Sequence, residues 1–221
     1  MSFSVCIFDM DGVIVDTARY HFLAWKKLAG ELGFELSPEL GEQLKGIGRL
    51  EALNIVLKFG SIKANEKDKQ KLAKRKNNYY LEFISKIDES EVLPGVITFL
   101  KTLREAKLKT ALATVSKNAS VIIEKTGIEK LFDVIVDGNM IKNGKPDPEV
   151  FLKAAEMLEV SPQECIVFED AVAGIEAAHR AGMKCIGIGN PSVLSKADFV
   201  IRNLKEINLG VLEKVPSKGA F

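Results

Sequence analysis

Val5-Cys6-Ile7-Phe8-Asp9-Met10-Asp11-Gly12-Val13 is four apolar or β-prone residues, then two carboxylates one residue apart, then a glycine. An apolar run this short, with no polar alternation, predicts a strand buried on both faces, as in a parallel sheet. The Asp-x-Asp-Gly that follows falls where the strand runs out, and ligands of open parallel sheets bind at that end. Two aspartates so close repel each other unless a cation or a ring of donors compensates. A plain turn is the other reading, since Asp and Gly are common turn formers.

The chain has 221 residues and is 47% hydrophobic, enough for one sizeable core and a smaller second unit. A formal net charge of +1 gives no footprint for nucleic acid or an acidic membrane surface, so small molecules are the expected partners. Cys6, Cys165 and Cys185 each lie in short apolar runs without metal-ligand spacing. They read as buried strand cysteines of a reducing compartment. The N-terminus has no basic segment leading into an apolar core, and no window approaches the ~18 apolar residues of a transmembrane helix. A cytoplasmic monomer is expected.

Working outward, residues 17–33 carry apolar positions at helical spacing and stop at Gly33. Ser37-Pro38 looks like an N-cap with proline behind it, Gly46-Ile47-Gly48 interrupts before a helix over 49–59, and residues 65–87 form a charged helical segment. From Pro94 strand and helix alternate: helix 96–106, strand 109–114, helix 117–127 and strand 134–136. Helix 147–158 follows with Asp147 as its N-cap, then strand 165–168, helix 171–182, strand 184–188 and a last strand 199–201. That alternation means right-handed βαβ units and a parallel sheet. The predicted fold class is therefore α/β, a doubly wound, Rossmann-like core of residues 1–17 and 88–221 with an inserted all-helical cap of residues 18–87. Two linkers join them, near Thr17 and over 87–90, and a unit hung on two such linkers can open and close. Residues 216–221 have little to pack and are expected to fray. His179 reads as surface structure.

Four strand tips then carry polar residues to one edge of the sheet: Asp9 and Asp11, Thr114 to Asn118, Lys145, and Glu169-Asp170. Each alone could be a cap or a solvated loop residue; together they form a site. Oxygen ligands without nearby His or Cys point to Mg²⁺. Thr114 and Ser116 precede a helix whose free N–H groups favour a phosphoryl group, and Lys145 adds a second positive charge. That is a setting for in-line phosphoryl transfer to an aspartate.

Asp9-Met10-Asp11-Gly12-Val13, Thr114, Lys145-Pro146-Asp147-Pro148 and Phe168-Glu169-Asp170-Ala171-Val172-Ala173-Gly174-Ile175 resemble, in order and spacing, the four motifs of the haloacid dehalogenase-like phosphotransferases. The resemblance covers the whole chain. It implies that Asp9 is a nucleophile forming a phosphoaspartate and Asp11 a general acid/base, while Thr114 and Lys145 hold the transferring group. Mg²⁺ would be bound by Asp9, the Asp11 carbonyl and Asp170, with Glu169 beside them.

The insert is similar to that of the hexose-phosphate mutases within the family. On that resemblance Lys45, Gly46, Arg49, Val115, Ser116, Lys117 and Asn118 are substrate contacts, and Thr17, His21, Trp25 and Lys76 shape the closed site. The implied partners are glucose 1-phosphate, glucose 6-phosphate and glucose 1,6-bisphosphate. A mutase must grip a bisphosphate at both ends, and Arg49 can offer a planar fork to the second phosphate. The family pattern has alanine where Val115 stands, so bulk is added where the sugar lies. A sugar-phosphate phosphatase, a mutase for another hexose, and a silent sugar-phosphate sensor are the competing readings.

Overall fold

In a computed structural model, residues 3–215 are described; the expected frayed tail, 216–221, lies outside them. Strand β1 (Val5–Phe8) is followed by four helices, α1 (Ala18–Glu31), α2 (Pro38–Gln43), α3 (Arg49–Phe59) and α4 (Glu66–Ile84). The alternating part runs α5 (Val96–Glu105), β2 (Lys109–Ala113), α6 (Ala119–Thr126), β3 (Val134–Val136), α7 (Glu149–Met157), β4 (Cys165–Glu169), α8 (Val172–Arg180), β5 (Lys184–Ile188), β6 (Phe199–Ile201) and α9 (Leu209–Lys214).

The strands form one parallel sheet in the order β3-β2-β1-β4-β5-β6. This is the doubly wound arrangement expected, with its switch point between β1 and β4. Phe8 is level with Leu112 on one side and Phe168 on the other, so Asp9 emerges beside the ends of β2 and β4. Cys6 and Phe8 point into a core under α5 and α6, where Phe8 stacks on Phe168 with ring centroids 4.5 Å apart. Val5 and Ile7 point into the opposite core, with residues of α7 and α8. The three cysteines are free and buried in β1, β4 and β5.

Helices α1 to α4 build a third core around Trp25, Leu28, Leu53 and Val56. Helix α1 ends in a Schellman turn: Phe34 N–H donates to the Ala29 carbonyl and Gly33 N–H to that of Gly30, with Gly33 at φ +88°. Ser37 and Asn65 cap α2 and α4 by accepting from Leu40 and Asp68 N–H. At its root this block is welded to the sheet, because Ala24, Tyr80 and Ile84 belong to the core of α5 and α6. The two connecting segments run side by side: Val15 bridges Val92, and Asp16 N–H donates to the Glu91 carbonyl at 2.8 Å. Arg19 and Tyr20 both donate to the Glu91 carboxylate, pinning the start of α1 to this crossing.

Four details differ from the sequence reading. Helix α7 starts at Glu149 behind Pro148, although Asp147 Oδ1 still accepts Glu149 N–H at 3.0 Å. Helix α6 starts at Ala119, because Thr114 and Ser116 hydroxyls take the N–H groups of Ser116 and Asn118 and keep that stretch a loop. Helix α4 stops at Ile84. Helix α9 is additional; six residues are too few for a periodic pattern to show.

Candidate active site

The sheet's carboxyl edge and the helical block enclose a cleft of about 1100 Å³ lined by Asp9, Asp11, Thr114, Ser116 and Asp170 from below and Trp25, Lys45, Arg49 and Lys76 from above. Asp9 leaves β1 with its N–H on the Phe168 carbonyl, and its side chain is nearly buried. Lys145, fully buried, donates to Asp9 Oδ1 at 2.5 Å and to Glu169 Oε2 at 2.7 Å. Burial pushes its pKa down, but the two carboxylates outweigh that and leave it raised. Glu169 Oε1 accepts the N–H groups of Asp170 and Ala171, which shapes the turn into α8.

Asp9, Glu169 and Asp170 can each bring one carboxylate oxygen within 4.8 Å of the others, a set able to hold a metal ion. Burial, then the neighbouring carboxylates, raises the pKa values of Glu169 and Asp170, so without a cation these crowded carboxyls hold protons more tightly, and a bound cation would favour their charged forms. Gly12, at φ +83°, lets the Asp170 carboxylate lie against the loop after β1, where any Cβ would collide with it.

Asp11 sits apart from that cluster. Its Oδ1 accepts from the Thr17 hydroxyl at 2.5 Å and faces His21 Nε2 at 3.8 Å. Burial, and then the charge of Asp9, lifts its pKa to about 6. His21 Nδ1 is 2.8 Å from Lys76 Nζ, and the ring stacks on Tyr80 with centroids 3.9 Å apart. Burial and the charges of Lys76 and Arg49 push His21 well below its ordinary value, so the ring is neutral. A charged Lys76 can only donate to Nδ1, and the neutral ring then carries its proton on Nε2, toward Asp11. Lys76 is 2% exposed, lies 4.8 Å from the Trp25 ring centroid, and has its pKa lowered to about 7, mainly by burial.

The remaining expected residues also reach the cleft. Lys45 Nζ is 3.6 Å from Asp170 Oδ2 and 3.0 Å from Glu42, Ile47 pairs with the Lys145 backbone, and Gly46 lies against Ala171. Val115 and Lys117 line the wall beside Ser116. Asn118 is turned toward Asn77 of α4, its Nδ2 donating to Asn77 Oδ1 at 2.8 Å. Arg49, half-buried at the start of α3, has no carboxylate partner among the described residues. The sequence reading passed over Tyr80 and Glu91. Tyr80 is one helical turn past Lys76 and so on its face, which is a usable signal; its buried hydroxyl has no hydrogen-bond partner among the described residues. Glu91 gives no local signal, because its partners Arg19 and Tyr20 are distant in sequence.

Comparison with known proteins adds relatives to this geometry. Residues 6–188 match the haloacid dehalogenase-like hydrolase family. The chain is 43% identical to the β-phosphoglucomutase of Bacillus subtilis, over 94% of this chain and 93% of that one. It is 33% identical to a phosphorylated carbohydrates phosphatase of Thermotoga maritima, over 95% and 98% respectively. A crystal structure of β-phosphoglucomutase from Clostridium difficile superposes with a TM-score of 0.90 at 41% identity, covering 96% of each chain. No helix among the described residues is long and apolar enough to cross a membrane.

Two outcomes follow from the electrostatics and the packing. The Lys76 amine binds fewer protons folded, with pKa about 7, than unfolded, near its ordinary 10.5, so its burial penalty is full below about pH 7 and absent above 10.5. Lys76→Met should therefore stabilise the protein at about pH 6, by up to about 1.4 kcal/mol for each unit of displacement, and the gain should shrink toward pH 9.5 in denaturant titrations. Gly174→Ala places a Cβ against the buried Glu169 carboxylate. Displacing Glu169 breaks its buried ion pair with Lys145 and frees the Asp170 and Ala171 N–H groups it accepts, so unfolding free energy should drop by about 3–5 kcal/mol, with turnover falling alongside.

Proposed function

The chain belongs to the haloacid dehalogenase-like hydrolase family, and from that premise we propose that it interconverts β-D-glucose 1-phosphate and D-glucose 6-phosphate through glucose 1,6-bisphosphate and a phosphoaspartate. The observation that carries the reading is Arg49, a half-buried guanidinium without a carboxylate partner among the described residues, in the same cleft as Asp9. A phosphatase needs one phosphate site. A mutase needs two facing each other, and Arg49 offers the second.

The two aspartates divide the work by environment. Asp9, one oxygen held by Lys145, presents the other to phosphorus; Asp11, at about 6, can carry or release a proton near neutrality. From the bisphosphate, the phosphoryl group passes to Asp9 and the sugar oxygen takes the proton of Asp11. The C6 hydroxyl of an incoming β-glucose 1-phosphate then attacks the phosphoaspartate, the bond to the Asp9 oxygen breaks, the hydroxyl proton passes to Asp11, and the bisphosphate is re-formed. Lys145 and the Thr114 hydroxyl hold the moving group, while Ser116, Lys117, Asn118 and Arg49 hold the stationary phosphate. Lys45, Gly46 and Val115 contact the sugar, and Thr17 keeps Asp11 oriented while His21 and Lys76 set the charge above it.

Mg²⁺ fits the all-oxygen cluster, with Asp9, Asp170 and the Asp11 carbonyl as its ligands and Glu169 occupied mainly with Lys145 and the turn. When bound it neutralises negative charge on the phosphoryl oxygens. Residues 18–87 act as a cap over a core of residues 1–17 and 88–221, shielding the phosphoaspartate from water. The runner-up is a sugar-phosphate phosphatase of the same fold, favoured by the 33% identical phosphatase.

A coupled assay with β-glucose 1-phosphate, Mg²⁺ and a trace of the bisphosphate separates the two. Glucose 6-phosphate should accumulate; inorganic phosphate without isomerisation would favour the phosphatase. Asp9→Asn should abolish turnover while sugar-phosphate binding persists in calorimetry, and surviving activity would exclude the covalent route. Chelation with EDTA should silence the enzyme and Mg²⁺ should restore it; activity indifferent to the chelator counts against the metal.

A further inference from the structure

Asn77 follows Lys76 on α4 and lines the cleft, and its amide oxygen accepts from Asn118 Nδ2 at 2.8 Å. Away from the Arg19-Tyr20-Glu91 crossing, this is the one side-chain hydrogen bond among the described residues between residues 18–87 and the sheet unit. The mouth has other ties, but they come from a different place: the ion pair of Lys45 with Asp170 and the backbone pairing of Ile47 with Lys145 both belong to the loop between α2 and α3. On the α4 side, Asn77 is the tie.

We propose that Asn77 is a positioning residue, a latch that closes the α4 side of the cap over the phosphoaspartate and biases transfer toward a sugar hydroxyl rather than water. This role rests on the phosphoryl-transfer reading and names what sets its selectivity. Hydrolysis and transfer break the same bond. In hydrolysis a water oxygen attacks phosphorus, the bond to the Asp9 oxygen breaks, inorganic phosphate leaves, and the water proton passes to Asp11. In transfer a sugar hydroxyl takes the place of water, with the same proton destination. The machinery below the phosphorus does not distinguish them, so the choice falls to what the closed cap admits.

An amide pair suits a latch that must release at every turnover. A neutral hydrogen bond shifts a closed-to-open ratio by about fivefold, enough to bias closure and too little to lock it. It also ties closure to the substrate, because Asn118 stands at the loop before α6 that is assigned to the stationary phosphate. With its oxygen engaged by Asn118, the Asn77 NH₂ remains available to that same anion.

The test compares the parent chain with Asn77→Ala and Asn77→Asp. In the coupled assay, Asn77→Ala should raise the ratio of inorganic phosphate released to hexose phosphate isomerised by about fivefold or more. In small-angle X-ray scattering without ligand, Asn77→Ala should show a larger radius of gyration, while Asn77→Asp, which keeps an acceptor for Asn118, should match the parent. An unchanged ratio in a parent that isomerises overturns the partition role, and an unchanged radius overturns the latch. If the parent does not isomerise at all, the mutase reading has failed by itself and the scattering comparison still decides the latch.

Discussion

Lys145 holds its ammonium 2.5 Å from Asp9 and 2.7 Å from Glu169, with none of the three side chains more than 5% exposed. Taking such charges out of water costs several kcal/mol each, and removing Lys145 would leave two buried carboxyl groups without compensation, at about 3–5 kcal/mol. The triad can exist only where β1, β4 and the loop before α7 converge, so strand order and register are a condition of its chemistry. With Asp170 it crowds three carboxyl groups around one ammonium, and burial with their mutual repulsion raises the pKa values of Glu169 and Asp170. A hard cation would relieve that repulsion, and the fold creates the crowding before any substrate arrives.

Above this acidic floor the cap supplies the opposite sign in a controlled form. Lys76 is buried against Trp25 and Tyr80, and its pKa falls to about 7 because burial outweighs the attraction of Asp11. Burial, and then the charges of Lys76 and Arg49, push the His21 pKa well down, and a charged Lys76 donating to Nδ1 directs the Nε2 proton toward Asp11. A carboxyl poised at about 6 is thereby held between Thr17 and a neutral donor, where protonation in either direction costs little. Arg49 is left with its charge and no carboxylate partner among the described residues, which is what an anionic ligand's far end requires.

The sheet and the acidic floor of the cleft were legible in the sequence because each signal there is local. Val5 to Phe8 is a continuous apolar run, and Cys165 to Phe168 and Lys184 to Ile188 repeat the pattern; a polar residue at the end of such a run has only one edge to occupy. Gly33, Ser37 and Asn65 announced the helix ends by their own chemistry. What stayed hidden was pairwise and long-range. Glu91 is one charged residue among Asp88, Glu89 and Glu91 until Arg19 and Tyr20 arrive from more than seventy positions away. The start of α6 was misplaced because the Thr114 and Ser116 hydroxyls satisfy the backbone that a helix would otherwise have used.

The cap cannot be a freely swinging lid. Tyr80, Ile84 and Ala24 sit in the same apolar core as Phe8 and Phe99, so any rotation of α1 and α4 has to slide these side chains against that core. The Trp25, Leu28 and Leu53 core lies above them and is shared by all four helices, which makes the upper part rigid as well. The covalent connections are the paired segments near Val15 and Val92, and a rotation about them would give its largest displacement at the far side, where Lys45, Ile47 and Asn77 meet the sheet unit. Contacts at that far edge act with the longest lever arm on closure. That is why a single neutral hydrogen bond at the mouth can matter to the reaction, while the stronger ionic contacts at Glu91 serve only to keep the axis in place.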